Sequence, residues 1–461
     1  MDKSITVFEY GYLADEADKK ESKRINWISS AAFKYLKQLC LCTESESSFV
    51  RLKMIDSTEV LQTQNYAGVI LTPDGTQIEI LPKIGKAAYQ QQTEAAEEQS
   101  RESLLVMLAC LGDFRHLKTE TADIKQQKMP LLEIFISQFL ASVNHLIKRG
   151  IRSDYAQRED NLLFLKGKLQ VGKQLKHNLV NKHKFHVEFE EFLADRPENR
   201  VIHSALHCVK KLSRSMANQR FQQELAFTFA DIPVSKDHHQ DFQRQRIDRG
   251  MAHYETPLAW AKLILNAFSP LTMKGSHSAT SLLFPMEAVF ESYVASQLHL
   301  FVNTGYQVKS QISSSKLVKH VDKDWFQLKP DLLIHDAGKS VCVLDTKWKT
   351  LDVSKANGTD KYGLSQADIY QMFAYGHNYL SGEGDMFLIF PYQNNFDCPV
   401  VEPFIFTDIN GKETNLRLWL VPFQILPTKG KLMLSAKANS APMNTIFTPD
   451  VFSLPFISTQ G

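Results

Sequence analysis

The chain has 461 residues, of which 43% are hydrophobic and 23% charged, with a formal net charge of +2. That length exceeds one average domain of ~100–200 residues and supports a core without disulfide or metal staples. The charge is too small to mark a nucleic-acid binder by itself, so any such role has to come from local clustering.

The six cysteines, at 40, 42, 110, 208, 342 and 398, form no CxxC pair and no Cys/His set with zinc spacing. This usage suits a reducing compartment. Met1-Asp2-Lys3-Ser4 opens no apolar stretch of signal-peptide type, and the apolar run at 104–111 falls far short of the ~20 residues that span a bilayer. The expected location is cytoplasmic, with no membrane association.

In chain order, a short helix is expected over 28–41 and a strand over 49–55. Residues 68–72 and 76–81 flank Pro73-Asp74-Gly75, a hairpin with turn chemistry at its centre. Residues 86–101 are polar and read as a linker or an exposed helix. Helical periodicity follows at 104–111, 130–148, 199–216 and 257–267, with short strands at 162–171 and 185–192. A stretch rich in Ser, Gly, Thr and His at 269–281 marks a boundary. Beyond it come a helix (284–300), strands (306–310, 331–335, 340–348), a helix (366–380) and a strand (385–390). The expected fold class is α/β multidomain. A β-rich domain over 1–100 is followed by a mainly helical middle domain over 101–270. A mixed sheet flanked by helices occupies 271–461.

The chemistry concentrates in Lys329-Pro330-Asp331-Leu332-Leu333-Ile334-His335 and Ser340-Val341-Cys342-Val343-Leu344-Asp345-Thr346-Lys347. Each is an apolar strand carrying carboxylates that a plain core excludes, and Asp336-Ala337-Gly338-Lys339 joins them as a hairpin turn. A three-residue loop makes opposed residue numbers add to an even sum, which puts Asp331 on the face of Asp345. Lys347 shares that face because strand side chains alternate. A two- or four-residue loop would put Asp331 on the wrong face. Two carboxylates on one face repel unless a positive charge sits between them. Mg²⁺ (or Mn²⁺) is the oxygen-seeking cation expected there. Asp331, Asp345 and Lys347 are the expected catalytic set for phosphodiester hydrolysis.

This P-D…(D/E)-x-K pattern resembles the PD-(D/E)XK nuclease superfamily. Upstream, Glu287 and Glu291 lie four apart on an expected helix, and the resemblance implies Glu291 as a further metal ligand, with the Thr346 backbone carbonyl. Downstream, Ser365-Gln366-Ala367-Asp368 opens a helix as a capping box. That helix carries Gln371 and Tyr375 on one face. Gln-x-x-x-Tyr resembles the RecB-like branch, which implies a supporting or DNA-backbone role for both.

The resemblance extends beyond the nuclease motif. Asn65-Tyr66-Ala67-Gly68-Val69-Ile70, Ile78-Glu79-Ile80-Leu81-Pro82-Lys83, Leu165-Lys166-Gly167-Lys168-Leu169 and Asp195-Arg196-Pro197-Glu198-Asn199-Arg200 look like the McrC family, as do Phe284-Pro285-Met286 and Asp368-Ile369-Tyr370-Gln371. The likeness spans roughly 50–400. It implies the nuclease subunit of a modification-dependent restriction system acting on double-stranded DNA. It also implies a McrB-like AAA+ GTPase ring as partner, whose hydrolysis this chain stimulates, with the N-terminal β region docking. The alternatives are a non-catalytic activator of an AAA+ ring and a stand-alone RecB-like repair nuclease.

Two readings compete at 166–184. Gly167-Lys168-Leu169-Gln170-Val171-Gly172-Lys173-Gln174 nearly matches a phosphate-binding P-loop, but Gln174 replaces the hydroxyl residue that would bind Mg²⁺. No nucleotide is expected there. The same segment holds six lysines, His177, His183 and no acid. Lys166, Lys168, Lys173 and Lys176 are therefore candidate DNA contacts.

Overall fold

The computed structural model describes residues 4–19, 25–42, 49–84, 94–111, 129–246, 249–265, 280–299, 302, 305–310, 312, 315–393, 395–400, 402–408, 410–425 and 431–432. The chain divides into two compact units, Met1–Lys128 with Pro270–Gly461, and Met129–Ser269.

The first unit begins with β1 (Ser4–Phe8), β2 (Tyr12–Asp15), β3 (Ile25–Ile28), α1 (Ser30–Cys42), β4 (Val50–Ile55), β5 (Thr58–Thr63), β6 (Tyr66–Leu71) and β7 (Gln77–Leu81). One sheet runs β3-β2-β5-β4. Phe33, Leu36 and Leu39 of α1 share a core with Leu13, Val50 and Leu61 of that sheet. The expected hairpin is β6–β7, with Ile70 opposite Ile78. Its turn is held by Asp74, which accepts from the hydroxyls of Thr72 at 2.6 Å, Thr76 at 2.8 Å and Ser29 at 2.6 Å. Burial opposes the charge on Asp74, but those hydroxyls outweigh it and hold the carboxyl below its ordinary range. Residues 86–93 lie outside the described residues. From 94 on, the polar stretch is helical, as α2 (Glu94–Leu108). Arg101 explains why that helix docks: its Nε and Nη2 donate to the two carboxylate oxygens of Glu79 on β7, each at 2.8 Å.

The second unit comprises α3 (Leu131–Arg149), β8 (Asp154–Leu162), β9 (Lys168–Leu169), α4 (Val171–His177), β10 (Phe185–Leu193), α5 (Pro197–Leu212), α6 (Met216–Thr228), α7 (His238–Arg244) and α8 (Ala252–Leu265). The strand expected at 162–171 keeps only the end of β8 and the two-residue β9, because most of the pairing to β10 comes from β8, one segment earlier. The helix expected over 199–216 ends at Leu212 and a new one starts at Met216. Glu133, buried on α3, causes the break. It accepts from Ser213 Oγ at 2.8 Å, the Arg214 N–H at 2.5 Å, the Ser215 N–H at 3.1 Å and Asn218 Nδ2 at 2.7 Å. A buried carboxylate with that many donors holds the chain in a turn.

The first unit then resumes with β11 (Thr280–Pro285), α9 (Met286–Leu298), β12 (Tyr306–Ser310), β13 (Ser315–His320), β14 (Lys323–Leu328), β15 (Leu332–Asp336), β16 (Lys339–Thr346), α10 (Gln366–Tyr379), β17 (Gly384–Pro391), β18 (Phe404–Thr407), β19 (Glu413–Gln424) and β20 (Lys431–Leu432). The expected mixed sheet is present, in the order β12-β15-β16-β17-β19-β18, with β20 on β19. β16, β17 and β19 are parallel, and β15 is antiparallel to β16. Strand β19, in a region where the sequence pattern marked no element, lies between β17 and β18.

A three-domain layout was expected, with boundaries near 100 and 270. The structure differs, and β11 is the reason. It pairs antiparallel with β6, Leu283 opposite Gly68, to complete the sheet β1-β7-β6-β11. The Met286 N–H at the start of α9 donates to the Asn65 carbonyl at 2.9 Å. The N-terminal sheet is thus finished by residues from the C-terminal half. Of the expected boundary at 269–281, all but the first-unit strand residues 280–281 lie outside the described residues.

Gly68 is the close point of that junction. Its φ is 139°, and a Cβ there would overlap the carbonyl of Leu282 on β11. Gly68→Ala should destabilise the protein by roughly 1–3 kcal/mol, read as a lowered midpoint in urea unfolding. An unchanged midpoint would mean the two strands can separate without cost.

Candidate active site

The β15–β16 hairpin sets the geometry of the charged residues, and it does so differently from expectation. Its turn has two residues: Asp336 pairs with Lys339. Ala337 (φ 47°) and Gly338 (φ 87°) both take the left-handed conformation that a type I′ turn demands. Alone, that turn gives opposed numbers an odd sum and would send Asp331 to the wrong face. The register shifts between Ile334 and His335, and Ile334 then faces Cys342. Val341 is the extra residue, a β-bulge that restores the even sum. Asp331 and Asp345 therefore do share a face, through the bulge and not through loop length.

That face continues an apolar row. Leu333 and Val343 pack with Met372 and Tyr375 of α10 in one core cluster. Toward the strand ends the same row turns polar, with Asp331, Asp345 and Lys347. Lys347 Nζ lies 2.6 Å from Asp345 Oδ2 and donates to Gln371 Oε1 at 2.9 Å. Gln371 Nε2 donates to the Tyr375 hydroxyl at 2.8 Å, and that hydroxyl donates to the Lys329 carbonyl at 2.9 Å. The capping box at Ser365 and Asp368 starts α10 and so aims Gln371 and Tyr375 at the strands. The structure thus brings together Asp331, Asp345, Lys347, Gln371 and Tyr375.

Thr346 also joins the site. Its N–H and its hydroxyl both donate to Asp331 Oδ2, each at 2.7 Å. The sequence pattern assigned Thr346 only a carbonyl role and missed its hydroxyl. It also missed Lys349, which pairs with Asp368 at 2.8 Å. The continued alternation 345, 347, 349 was the available signal.

Electrostatics at the site reflect crowding of like charge. Asp345 is 1% exposed. Burial first, then the Asp331 carboxylate, pushes its pKa up to about 7, against the pull of Lys347. Burial opposes the charge on Lys347, but Asp345 and Asp331 outweigh it and hold the ammonium above its ordinary value. The two carboxylates and one ammonium at this spot leave the group one positive charge short. Burial also pushes the Tyr375 hydroxyl up to about 12, so it stays a donor.

A divalent cation fits this donor set. The Lys347 ammonium, 2.6 Å from Oδ2, is the one close partner of the buried Asp345 carboxylate, and no partner is found for Oδ1 among the described residues. A buried carboxylate in that state calls for a cation. No group of three or more His, Cys, Asp or Glu residues assembles among the described residues. Half-buried Glu291 on α9 therefore does not complete a three-carboxylate set with Asp331 and Asp345. Mg²⁺ tolerates this, since it commonly binds one or two carboxylates and keeps its waters.

The lysines of 166–184 belong to the second unit. Lys173 pairs with Glu159 of β8, and Lys166 lies 3.6 Å from Glu191 of β10 and 4.1 Å from the Phe189 ring. Strand neighbours thus offset two of the four candidate cations, a compensation invisible within the segment itself. Lys168 and Lys176 are exposed. No helix of the described residues is long and apolar enough to cross a membrane.

A family model described as McrBC 5-methylcytosine restriction system component matches residues 61–391. The chain belongs to the McrBC family. No curated protein is significantly similar in sequence. Among solved structures, this McrBC-family chain is similar to one from the Thermococcus gammatolerans McrB AAA+ hexamers with bound McrC, part of a tetradecameric assembly. That match has a TM-score of 0.63 at 17% identity, covering 92% of this chain and 95% of that one. A chain of the Thermococcus gammatolerans McrBC complex gives a TM-score of 0.45 at 20% identity, over 63% and 85% of the two chains. The first likeness shows a shared fold over nearly the full length.

Behind the site, the family chain carries a second buried acid. Glu9, at the end of β1, accepts from Trp348 Nε1 at 3.1 Å and from the Lys83 N–H at 3.0 Å. These residues line a cleft of about 430 Å³ with Lys349 and Gln393. Burial pushes the Glu9 carboxyl from 4.5 up to about 7, beyond what its donors and Lys83 recover. An acid whose folded pKa is raised costs stability as pH climbs from its unfolded value to its folded one. The wild type should lose on the order of 3 kcal/mol across that window. Glu9→Gln removes the titration, so its stability relative to wild type should rise from pH 4.5 to about 7 and stay level above. Denaturant titrations at stepped pH measure this, and a difference that does not vary with pH refutes it.

Proposed function

We propose that this chain is the Mg²⁺-dependent endonuclease subunit of its restriction system, cutting phosphodiester bonds in modified double-stranded DNA with a PD-(D/E)XK-type site. The observation that carries the reading is the gathering of Asp331, Asp345 and Lys347 on one sheet face, one positive charge short. Asp331 and Asp345 would hold the metal, Mg²⁺ or Mn²⁺. When bound, it supplies a water of lowered pKa and offsets phosphate charge.

The protein's own groups do the rest. Thr346 fixes one Asp331 oxygen through two donors and so holds that carboxylate in place for the metal. Lys347 presents its ammonium to the charge that develops on the phosphate and to the attacking water. Gln371 holds Nζ in place, and Tyr375 fixes Gln371 in turn.

Asp331→Ala, Asp345→Ala and Lys347→Ala should each abolish Mg²⁺-dependent cleavage of plasmid DNA, with Lys347→Ala losing at least ~100-fold. Gln371→Ala should slow cleavage by roughly 10–100-fold, as removal of a supporting hydrogen bond does. Cutting that survives all three substitutions removes the site assignment.

An AAA+ GTPase ring remains the proposed partner, supported by the family and by the fold shared with a McrC-bound McrB assembly. Docking was expected on the N-terminal β region. The second unit is the better candidate surface, because Leu163, Phe164, Leu165, Leu175, Leu179 and Val180 are each at least 60% exposed there. Exposed apolar side chains concentrated in one segment suit a protein interface. Phe164→Ser with Leu175→Ser should weaken co-purification with the AAA+ partner and lower its stimulated GTP hydrolysis. Cleavage-site residues stay untouched in that variant. Full binding by it would return the docking role to the N-terminal sheet.

A further inference from the structure

The β13–β14 hairpin is a two-stranded ribbon that pairs with no other strand among the described residues. Ser315 faces Leu328, Val318 faces Trp325 and His320 faces Lys323. Strand alternation places Lys316, Val318, His320, Lys323, Trp325 and Gln327 on one face. That face carries no carboxylate. Asp324 belongs to the opposite face, and Asp322 sits in the turn beside Lys319, 4.0 Å away. Trp325 is 49% exposed, and its ring meets His320 edge-on at 5.7 Å. The base of the ribbon is anchored: Leu328 is buried, and the Tyr379 hydroxyl of α10 donates to its carbonyl at 2.9 Å. Tyr375, which fixes Gln371, grips the next carbonyl, that of Lys329. Asp331 follows two residues later.

We infer that this ribbon grips duplex DNA beside the scissile phosphate, with Lys316, His320 and Lys323 on the backbone and Trp325 against sugars or base edges. This rests on the nuclease reading. Three features select DNA over a protein partner. The face is cationic without compensating acid, as a phosphate backbone requires. A two-stranded ribbon has the width of a duplex major groove. The ribbon also runs directly into the strand bearing Asp331, so whatever it holds is registered to the catalytic carboxylates. An apolar protein partner would not call for lysines on both sides of the aromatic, Lys316 toward the base and Lys323 toward the tip.

The test measures binding of the full chain to a short fluorescent duplex in EDTA, where no strand is cut, over a range of salt. Lys316→Ala with Lys323→Ala should lower the slope of log affinity against log salt by about two, at ~0.9 for each phosphate no longer neutralised. The corresponding Lys→Arg pair should restore it. Trp325→Ala should weaken binding roughly tenfold at any salt. Wild-type affinity and slope in both variants overturns the proposal, as does a wild-type chain that binds no duplex. Unchanged DNA binding with altered self-association in sedimentation also overturns it and makes the ribbon a surface between copies. Failure of the nuclease reading shows separately, as absent Mg²⁺-dependent cleavage by a wild-type chain that still binds.

Discussion

Repulsion between Asp331 and Asp345 is the constraint around which the site is built. Two carboxylates on one strand face, one of them buried, favour protonation or separation unless donors and cations hold them. The chain supplies both. Thr346 donates twice to Asp331, and Lys347 pairs with Asp345. The polar contacts then run from Lys347 to Gln371, to Tyr375, and to the Lys329 carbonyl. That carbonyl lies two residues before Asp331, so the network closes on the strand where it began. Closure matters energetically, because each member's orientation is fixed by its neighbour and a partly satisfied buried network is costly. The residual shortage of one positive charge is then a property of the whole ring.

The surrounding fold holds that ring by joining distant segments. Trp348, just past Lys347, donates to Glu9 at the end of β1 and meets the Phe290 ring of α9 at 5.3 Å. α9 itself leaves β11, which finishes the N-terminal sheet at Gly68. The first hundred residues are therefore part of the architecture of the unit that carries the Asp331–Asp345 site. The helical unit interrupts that architecture in sequence, inserted between residues 128 and 270. It carries the exposed apolar side chains and the basic segment, and its network at Glu133 is built from its own residues.

Much of the fold and site was legible from local pattern. Alternation and turn chemistry gave the β6–β7 hairpin and the apolar strands with their misplaced carboxylates. The Ser365/Asp368 capping box located α10 and, by helical spacing, put Gln371 and Tyr375 on one face. What was not legible has a common physical cause. Strands β11 and β19 owe their state to partners far away in sequence, and β strands hold by such pairing more than by intrinsic preference. The basic look of 166–184 is partly offset for the same reason, since the Glu159 and Glu191 that face Lys173 and Lys166 come from other strands.

Asp331, Asp345 and Lys347 show the division most sharply. Their identities and spacing were enough to single them out, because carboxylates and a lysine at strand alternation in apolar runs are not what a plain core selects. Their common face was not determined by spacing. A two-residue turn alone would have parted them, and the bulge at Val341 brings them back. A bulge is a compromise between the turn's twist and the packing of Leu333 and Val343 against α10. Only the packed structure can strike that balance, because the energy that favours one register over the other comes from side chains that meet across the sheet and helix.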